Sequence, residues 1–385
     1  MRIALDVQTL FEEQKTGIGG MIDMLVSHLI RDIEDEYQLN YFAFRKKAEK
    51  KIRMSSYQKR NTLIQCCSWL PLAIYRRIWN YIPLSYSTFF RKKADITVFF
   101  NYFIPPGVKG KKATFIYDMV WKAYPETMDM RTKRFMDDNV ESACKRADAI
   151  ITISEFSKNE IIKYMNMPPE KVKVVYGGVD QERYHLNYPM EEIQNVKSKY
   201  YLKQDYFLYL GTLEPRKNIS RLIEAYALLF QEEEHIPKMA IAGKKGWQYE
   251  PIFQLVKELE LEEQVIFTGY VPDEDVPLLM AGALAFVFPS LYEGFGLPPL
   301  EAMACGTPVI VSDAASLPEV VGDAGLQVSP YDIKEIKEAM NNIMKNQELR
   351  RELRDAGIAR SQKFFWSNNA EMLRTICHQI VTGQE

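Results

Sequence analysis

YEGFGLPPLEAMACG, Tyr292–Gly306, follows an apolar run, Leu284–Phe288, whose composition predicts a buried parallel strand. The stretch passes through a loop with two glycines, Gly294 and Gly296, that let the backbone come close to a ligand. Its two prolines suit the first turn of a short helix, and its last glycine suits the residue just past the end. A strand, a glycine loop and a helix in this order predict a doubly wound parallel sheet with a binding site at the loop.

This stretch contains two carboxylates, Glu293 in the loop and Glu301 in the expected first turn of the helix. The helix macrodipole alone favours an acidic residue in a first turn, so Glu301 has a structural explanation of equal weight. Glu293 lies beside glycines at the end of a strand and has neither a helical nor a packing reason to be there. Because a carboxylate can accept a pair of hydroxyl hydrogen bonds, the two residues together predict a polyol ligand such as ribose or a hexose.

A second loop, in GTLEPRKN at Gly211–Asn218, follows the predicted strand YFLYLG. Arg216 and Lys217 are expected at the carboxyl edge of the sheet, where two cations can hold a diphosphate and stabilise a departing leaving group. An Arg-Lys dipeptide is more commonly a solvated surface pair. Its position between a buried strand and the predicted helix Ile219–Phe230 favours the functional interpretation.

Together, YEGFGLPPLEAMACGTPVIVSD and GTLEPRKNISRLIEAY resemble the donor-binding half of the retaining glycosyltransferases of family 4, also called glycosyl transferases group 1. The resemblance runs from about Tyr206 to the end of the chain and is weaker before it. It implies an α/β GT-B fold, in which two Rossmann-like doubly wound parallel-sheet domains face a cleft. In a nucleoside diphosphate sugar, Glu301 would then bind the ribose and Glu293 the sugar. Arg216 and Lys217 would bind the diphosphate.

The resemblance implies further donor-binding residues. In family members the loop that corresponds to FTGYVPDEDV lies against the nucleobase, through backbone groups around Tyr270 and Val271. Lys244, in AGKKGW, is either another neighbour of the phosphates or merely exposed. The motif around Glu293 adds Gly294, Phe295, Gly296 and Leu297.

Predicted strands alternate with amphipathic helices along the rest of the chain. In the first half, the strands are expected near Arg2–Leu10, Tyr37–Phe44, Ile96–Phe100, Ala113–Tyr117, Ala149–Ser154 and Val172–Tyr176. In the second half, they are expected near Phe207–Leu210, Lys238–Ala242, Val265–Thr268, Leu284–Phe288, Pro308–Val311 and Leu326–Val328. We therefore expect an acceptor-binding domain at 1–185, a linker at 186–204, a donor-binding domain at 205–363 and a helical segment at 364–385. The resemblance implies that this last helix packs back on the first domain.

In the first half, TGIGG at Thr16–Gly20 follows the first strand and precedes a predicted helix, Met21–Ile33. A glycine-rich turn at a helix N-terminus presents backbone N–H groups and suits a diphosphate. A tight strand-to-helix turn explains the glycines about as well. The resemblance favours donor binding by Gly19 and Gly20, because the corresponding loop of family members approaches the donor's phosphates.

TFIYDMVW, Thr114–Trp121, ends a predicted strand at Tyr117 and Asp118. Family members commonly carry a His-Asp pair here, with the histidine near the transferred sugar, so Tyr117 departs from the pattern. Tyrosine can hydrogen-bond a sugar or stack on its ring, but it cannot act as an imidazole base near neutral pH. Asp118 is thus the nearer candidate for contact with donor or acceptor. Glu155 is instead expected at a helix start capped by Ser154.

The composition is that of a soluble globular protein, with 385 residues of which 47% are apolar and 26% charged. The N-terminus is a charged strand rather than a secretory signal, and no apolar run is long enough for a membrane span. The cysteines show no metal or disulfide spacing; they are Cys66, Cys67, Cys144, Cys305 and Cys377. A reducing cytoplasm is the simplest location for this chain.

Residues 45–93 contain many basic residues and a single acidic one, Glu49, with aromatic and aliphatic residues interleaved. Cations beside apolar side chains suit an anionic membrane surface, which would place the protein at the inner face of the cell membrane. An amphipathic helix packed on its own domain, with a solvated basic rim, explains the pattern equally well. Nucleic acid is a poorer fit, because no recognition motif accompanies the charge.

These expectations combine into one reaction, the transfer of a hexose from a nucleoside diphosphate sugar to a glycan or lipid-linked acceptor in cell-surface polysaccharide or glycoconjugate synthesis. The residues expected to act in catalysis are Asp118, Glu293, Arg216 and Lys217. The resemblance implies retention of anomeric configuration, and the similarity of GTLEPRKN to mannosyl-transferring family members slightly favours mannose from a GDP-sugar. No cofactor and no metal are expected, because the cationic pair would carry the diphosphate's charge. A phosphorylase, a nucleotide-sugar epimerase and a non-catalytic sugar-nucleotide-binding subunit remain as alternatives.

Overall fold

The computed structural model describes residues 1–11, 17–44, 47–79, 81–82 and 84–383. Its contacts divide the chain into two compact units. The first unit comprises Met1–Met119, Met130–Gly178 and Trp366–Glu385, and the second comprises Val120–Asp129 and Val179–Phe365. Each unit is therefore assembled from more than one segment of the sequence.

Strands and helices alternate along the described residues. The strands are β1 Arg2–Asp6, β2 Glu36–Phe42, β3 Thr62–Cys67, β4 Ile96–Phe99, β5 Lys111–Phe115, β6 Ala149–Thr152, β7 Val172–Val174, β8 Tyr206–Leu210, β9 Lys238–Ala242, β10 Val265–Gly269, β11 Ala285–Phe288, β12 Val309–Ser312 and β13 Leu326–Val328. The helices are α1 Gly17–Leu29, α2 Lys47–Ser55, α3 Leu72–Ile78, α4 Tyr86–Phe89, α5 Val120–Ala123, α6 Met130–Arg146, α7 Glu155–Met165, α8 Met190–Lys199, α9 Ile219–Glu232, α10 Glu250–Glu258, α11 Val276–Ala281, α12 Leu297–Ala304, α13 Leu317–Val321, α14 Ile333–Lys345, α15 Gln347–Ser361 and α16 Trp366–Thr382.

Within the described residues, the first unit contains a seven-stranded parallel sheet with the order β3-β2-β1-β4-β5-β6-β7. All residues of β4 and β6 are buried, as expected for parallel strands covered by helices on both faces. The strand order reverses between β1 and β4. Open α/β sheets bind ligands at such a switch point, outside the carboxyl ends of the strands.

The second unit, over the same described part of the chain, contains a six-stranded parallel sheet with the order β10-β9-β8-β11-β12-β13. Its order reverses between β8 and β11. All residues of β11 are buried, which explains the continuous apolar run in the sequence. Because β8 precedes GTLEPRKN and β11 precedes YEGFG, the topology brings both motif loops to one switch point.

The two Rossmann-like sheets expected from the sequence are confirmed, and every predicted strand has an observed counterpart. β3 was not predicted, because it lies within residues 45–93, where the many basic residues obscure the strand pattern. The first strand is shorter than predicted. It ends at Asp6, and Gln8–Phe11 form a turn of 3₁₀ helix instead.

Three helix ends were predicted, with different outcomes. α1 begins at Gly17, so Gly19 and Gly20 belong to the helix rather than to a turn before it, and Thr16 lies outside the described residues. Gly306 follows the cap of α12 with φ of 77°, the left-handed conformation expected just past a helix end. Ser154 caps α7 as predicted, because its hydroxyl accepts a hydrogen bond from the backbone N–H of Ser157 at 2.9 Å.

Residues 186–204, predicted as a linker, contain α8, which packs against α11 within the second unit. In the first unit α16 packs against α1. Asp35, just before β2, ties α16 to the sheet: it lies 3.3 Å from Arg374 Nη1 and 2.8 Å from His378 Nε2. Among the described residues, no helix is both apolar enough and long enough to cross a membrane.

Candidate active site

The two motif loops of the second unit meet directly at the switch point between β8 and β11. The backbone N–H of Leu291 donates to the carbonyl of Arg216 at 2.9 Å. The Arg216 guanidinium in turn donates to the carbonyl of Tyr292 at 2.8 Å. These backbone contacts fix the register between the loop that carries the cations and the loop that carries Glu293.

Arg216, Lys217 and Glu293 form an ion-pair cluster in which Lys217 and Glu293 are buried and Arg216 is half-buried. Glu293 Oε1 lies 2.6 Å from Lys217 Nζ, and its Oε2 lies 3.0 Å from Arg216 Nη1. Lys217 is 9% exposed and Glu293 is 8% exposed, so the pair is largely removed from water. The alternative of a solvated surface pair is therefore wrong for Lys217. A buried charge pair costs desolvation energy, so its presence at a loop crossing is typical of a functional site rather than of a stabilising device.

Glu214 completes this cluster and was missed by the sequence analysis. Its Oε1 accepts from Arg216 Nη2 at 2.6 Å and from Arg216 Nε at 3.1 Å. The side chain is buried and lies in the same loop, two residues before the arginine. Two carboxylates therefore flank Arg216, and the guanidinium is held in one orientation.

The electrostatics of the cluster keep Glu293 ionised. Burial alone would raise the pKa of Glu293, but the charges of Lys217 and Arg216 outweigh it and hold the pKa below its usual value. Burial lowers the pKa of Lys217, and the neighbouring Arg216 lowers it further, against the opposing effect of Glu293 and Glu214. A lysine poised in this way gains stabilisation when a further negative charge approaches it.

Side chains from outside the motifs support the Glu293 loop. Asn218 Nδ2 donates to the carbonyls of Pro289 at 2.9 Å and of Pro330 at 2.7 Å. Ser316 Oγ lies within hydrogen-bond distance of the carbonyl oxygens of Glu293, at 2.9 Å, and of Phe295, at 2.8 Å. The loop is thus preorganised by hydrogen bonds, as a site for electrostatic catalysis requires.

Gly296 in this loop has a structural role. Gly296 has φ of 112°, and a Cβ there would lie 2.6 Å from Leu317 Cδ2. Glycine is therefore needed at Gly296 by the fold itself. Gly294 and the buried Phe295 lie between Glu293 and this position, and Leu297 begins α12.

Glu301 lies farther along α12 than predicted. The first turn of α12 contains no acidic residue, so the macrodipole does not explain Glu301. The side chain is half-buried at the carboxyl edge of the sheet. Burial raises its pKa to about 7, against the opposing effects of Arg183 and of a hydrogen bond from Tyr184. A carboxyl group with this pKa changes charge near neutral pH.

The remaining predicted donor-binding residues of the second unit follow neighbouring strands. Lys244 is exposed after β9, and its carbonyl accepts from the N–H of Leu213 at 2.9 Å. Tyr270 is exposed and Val271 buried just after β10. Arg216, Lys217 and Glu293 thus lie in direct contact, and Lys244, Tyr270 and Val271 follow the carboxyl ends of the neighbouring strands β9 and β10.

The predicted residues Gly19, Gly20 and Asp118 belong to the first unit. Gly19 is buried and Gly20 half-buried near the start of α1. A Cβ at Gly20 would meet nothing within 4 Å, so packing does not require glycine there. Asp118 is half-buried after β5.

Tyr117 lies in the core of the first unit. This tyrosine is 1% exposed, and its hydroxyl donates to the carbonyl of Phe100 at 3.1 Å. Its ring packs against Phe115 and Tyr102, with centroid separations of 5.6 Å and 5.3 Å. Tyr117 is therefore a core residue of the first unit. Tyrosine at this position fills space in an aromatic cluster.

The switch point of the first unit holds a buried carboxylate that the sequence analysis passed over. Asp6 ends β1 and accepts from the Tyr86 hydroxyl at 2.9 Å and from Asn101 Nδ2 at 3.2 Å. Burial raises the pKa of Asp6 to about 6, against the opposing hydrogen bond from Tyr86. The only signal in the sequence was an acidic residue within the predicted first strand, Arg2–Leu10.

No three His, Cys, Asp or Glu residues converge as a metal site in the described part of the chain. Asp273 and Asp275 do have Asp-x-Asp spacing in the sequence. Asp275 accepts from Lys199 Nζ and from the Tyr200 hydroxyl, each at 2.6 Å, and Asp273 pairs with Arg183. Protein cations thus hold both carboxylates.

Comparisons with known proteins identify the family of this chain. The model of Glycosyl transferases group 1 matches residues 190–360, and the model of Glycosyltransferase Family 4 matches residues 28–183. The O-antigen chain mannosyltransferase B of Escherichia coli is 38% identical over 269 residues, which are 70% of this chain and 70% of that protein. The serotype-specific mannosyltransferase WbdA of Escherichia coli is 40% identical over 59% of this chain, but the match covers only 28% of WbdA.

Solved structures with similar coordinates share the fold at low identity. The Anabaena protein HepE, in complex with UDP and glucose, has a TM-score of 0.75 with 19% identity and covers 98% of this chain and 100% of its own. WaaG, a glycosyltransferase involved in lipopolysaccharide biosynthesis, has a TM-score of 0.70 with 16% identity over 100% of both chains. The chain therefore belongs to glycosyltransferase family 4, the group 1 glycosyltransferases, and has the GT-B fold.

Proposed function

We propose that this glycosyltransferase moves a hexose, with mannose favoured, from a nucleoside diphosphate sugar to a glycan or lipid-linked acceptor in the synthesis of a cell-surface polysaccharide. The observation that carries the proposal is the ion-pair cluster of Arg216, Lys217 and Glu293 at the switch point. The names of the similar O-antigen mannosyltransferases support mannose, and through it a GDP-sugar.

Arg216 and Lys217 would hold the diphosphate and neutralise its charge as the sugar departs. Each oxygen of Glu293 already accepts from one cation. A carboxylate has about four acceptor positions, so further positions remain for hydroxyls of the sugar. Glu301 would accept from the two ribose hydroxyls. The base and phosphates would contact Tyr270, Val271, Lys244, Gly19 and Gly20.

In the proposed retaining reaction, the bond from the anomeric carbon to the diphosphate oxygen breaks as the acceptor oxygen bonds to the same face. The acceptor's proton passes to the departing phosphate. No imidazole is required, which fits a buried Tyr117 at the position where family members carry histidine. Asp118 would contact the donor or the acceptor. The two cations replace a metal ion, so transfer should persist in EDTA.

Binding of a nucleoside diphosphate should depend on pH through Glu301. Ribose hydroxyls would donate to the ionised carboxylate of Glu301. Without bound nucleotide, Glu301 has a pKa of about 7, so it is partly protonated near neutral pH. We expect the dissociation constant for GDP or UDP to rise by up to about tenfold for each pH unit below 7 and to level off above 8. Thermal-shift titration with GDP, UDP and ADP at pH 6, 7 and 8 measures this dependence and identifies the preferred base.

Glu301→Gln is the matched variant for this test. It should weaken diphosphate binding by about tenfold or more at pH 8 and remove the pH dependence. Because folding raises the pKa of Glu301 from 4.5 to about 7, its contribution to the free energy of unfolding falls as the pH rises through that window. The glutamine variant should therefore remain folded at pH 8. If neither GDP nor UDP binds, or if Glu301→Gln binds like the wild type, the assignment of the switch point between β8 and β11 as the donor site is wrong.

We also propose that an exposed face of the first unit binds anionic lipid. After α3, the backbone N–H groups of Tyr81 and Ile82 donate to the carbonyl of Ile78 at 2.9 and 2.7 Å. Ile74 and Ile82 are exposed, and Tyr81, next to Ile82 in the sequence, is 86% exposed. Arg77 is exposed on α3, and Arg91, Lys92 and Lys93 form an exposed basic run.

Ile82→Glu should reduce binding to vesicles that contain phosphatidylserine, because it replaces an exposed apolar side chain near the basic residues with a negative charge. We expect the vesicle-binding constant measured by cosedimentation to fall at least fivefold. This corresponds to a loss of about 1 kcal/mol of binding free energy from one displaced apolar group and one added charge. Met372→Glu, at an exposed position on α16, is the matched control and should bind like the wild type. Equal binding by wild type and Ile82→Glu would remove the lipid proposal and leave the solvated-rim explanation.

A further inference from the structure

The segment Val120–Asp129 comes from the first half of the sequence but belongs to the second unit. It starts two residues after Asp118, and it contains α5 and a 3₁₀ turn, Pro125–Thr127. These ten residues are ordered within the second unit although the residues on both sides of them in the sequence belong to the first. Ordering them costs conformational entropy, so contacts within the second unit must offset that cost. The contacts of this segment lead to the active-site loop.

Two hydrogen bonds attach the segment to the second unit. Trp247 Nε1 donates to the carbonyl of Thr127 at 2.7 Å. The hydroxyls of Tyr124 and Tyr331 lie 3.0 Å apart and share a hydrogen bond. Thr127 Oγ1 also donates to the carbonyl of Tyr124 at 2.8 Å, which fixes the turn between these two attachment points.

Tyr124 covers the residue that precedes Glu293. Its ring centroid lies 5.6 Å from that of Tyr292, with the ring planes at 56°. The Tyr292 side chain is buried, and its carbonyl accepts from Arg216 Nη1. The Tyr124 ring therefore holds Tyr292, and Tyr292 holds the guanidinium that faces Glu293.

Tyr331 connects the same segment to the other support of the loop. The Arg221 guanidinium lies 5.5 Å from the Tyr331 ring centroid, and Arg221 Nη1 donates to Asn218 Oδ1 at 2.9 Å. Asn218 in turn donates to the carbonyl of Pro289, at the start of the loop. Both routes from Tyr124 end on the loop that carries Glu293.

From these contacts we infer that Tyr124 is a positioning residue for the donor site: its ring holds Tyr292, and with it Arg216 and Glu293, in the arrangement that receives a sugar diphosphate. This inference rests on the proposed function. A role in packing alone would affect stability. A positioning role affects the diphosphate selectively, because the cation cluster binds that part of the donor.

The test compares Tyr124→Ala with Tyr124→Phe, which keeps the ring and loses only the hydroxyl. For Tyr124→Ala we expect about tenfold weaker binding of the nucleoside diphosphate, with binding of the bare nucleoside unchanged within about twofold. We expect kcat to fall by about 10- to 100-fold, as for a small misplacement of catalytic groups. Tyr124→Phe should restore both values to within about threefold of the wild type. Glu126→Ala, an exposed position in the same segment, is the control and should change neither value.

A second comparison asks whether Tyr124 acts through the cations. Added to Lys217→Met, the Tyr124→Ala change should lower kcat and diphosphate affinity by less than about threefold more, because residues that act as one unit are not additive. Full additivity would overturn the inference. The inference would also be overturned if Tyr124→Ala weakened binding of the nucleoside diphosphate and of the bare nucleoside by the same factor. If the wild type binds no nucleotide at all, the proposed function fails first and the inference fails with it.

Discussion

Replacing Lys217 with methionine is expected to lower kcat/KM for the nucleotide sugar by about a thousandfold, the largest effect on activity that the site predicts. Methionine keeps the length of the buried stem and removes the charge. Glu293 would still pair with Arg216 at 3.0 Å, so the carboxylate is not left alone in the interior. The loss should therefore appear in the chemistry, where negative charge develops on the departing diphosphate, more than in folding.

Steady-state kinetics with the preferred donor, together with thermal unfolding of the same samples, measures this loss. Lys334→Met, at an exposed position of α14, is the matched control and should stay within about twofold of the wild type. Lys217→Arg restores the charge and should recover part of the rate. A folded Lys217→Met protein with kcat/KM close to that of the wild type would show that this cation takes no part in the reaction.

The largest effect on stability is expected for Gly243→Ala. Gly243 follows β9 with φ of 147°, and a Cβ there would lie 2.7 Å from the carbonyl carbon of Gly211 and closer still to its oxygen. The obstructing atoms are backbone and cannot rotate away. We expect the free energy of unfolding to fall by about 4 kcal/mol or more, or soluble protein to be lost altogether.

Gly269→Ala is the matched control for that variant. Gly269 ends the neighbouring strand β10 with φ of 70°, but a Cβ there would meet nothing within 4 Å. Only the unfavourable φ then contributes, so a loss of about 1–2 kcal/mol is expected. Urea unfolding of both variants separates the two causes. Equal midpoints would mean that the close approach of Gly243 to Gly211 is not needed to place the GTLEPRKN loop.

Much of the fold could be predicted from local patterns. Buried parallel strands appear as apolar runs such as Ala285–Phe288, and helix ends appear as capping residues such as Ser154 and Gly306. These signals depend on near neighbours along the chain, so a single sequence is enough to identify them. The prediction was wrong where one signal masked another. The charge around β3 hid its strand, and the glycines of α1 suggested a turn where the helix had already begun.

The candidate site could be predicted only in part. Glu293, Arg216 and Lys217 were identified from their loops and do lie in contact. Glu214 could not be identified, because an acidic residue in a loop has many possible partners. The burial of Tyr117 could not be predicted either, because exposure cannot be judged from the residues on either side of it.

By itself, the sequence determined that two parallel α/β sheets form and that two loops at strand ends carry paired charges, because periodicity and turn chemistry act over a few residues. Only the tertiary structure decided which charges meet. Lys217 and Glu293 are far apart in the sequence and come together because β8 and β11 are neighbours in the sheet. Likewise, only packing placed Tyr124 against Tyr292, since a contact between distant segments depends on the assembled core rather than on local sequence.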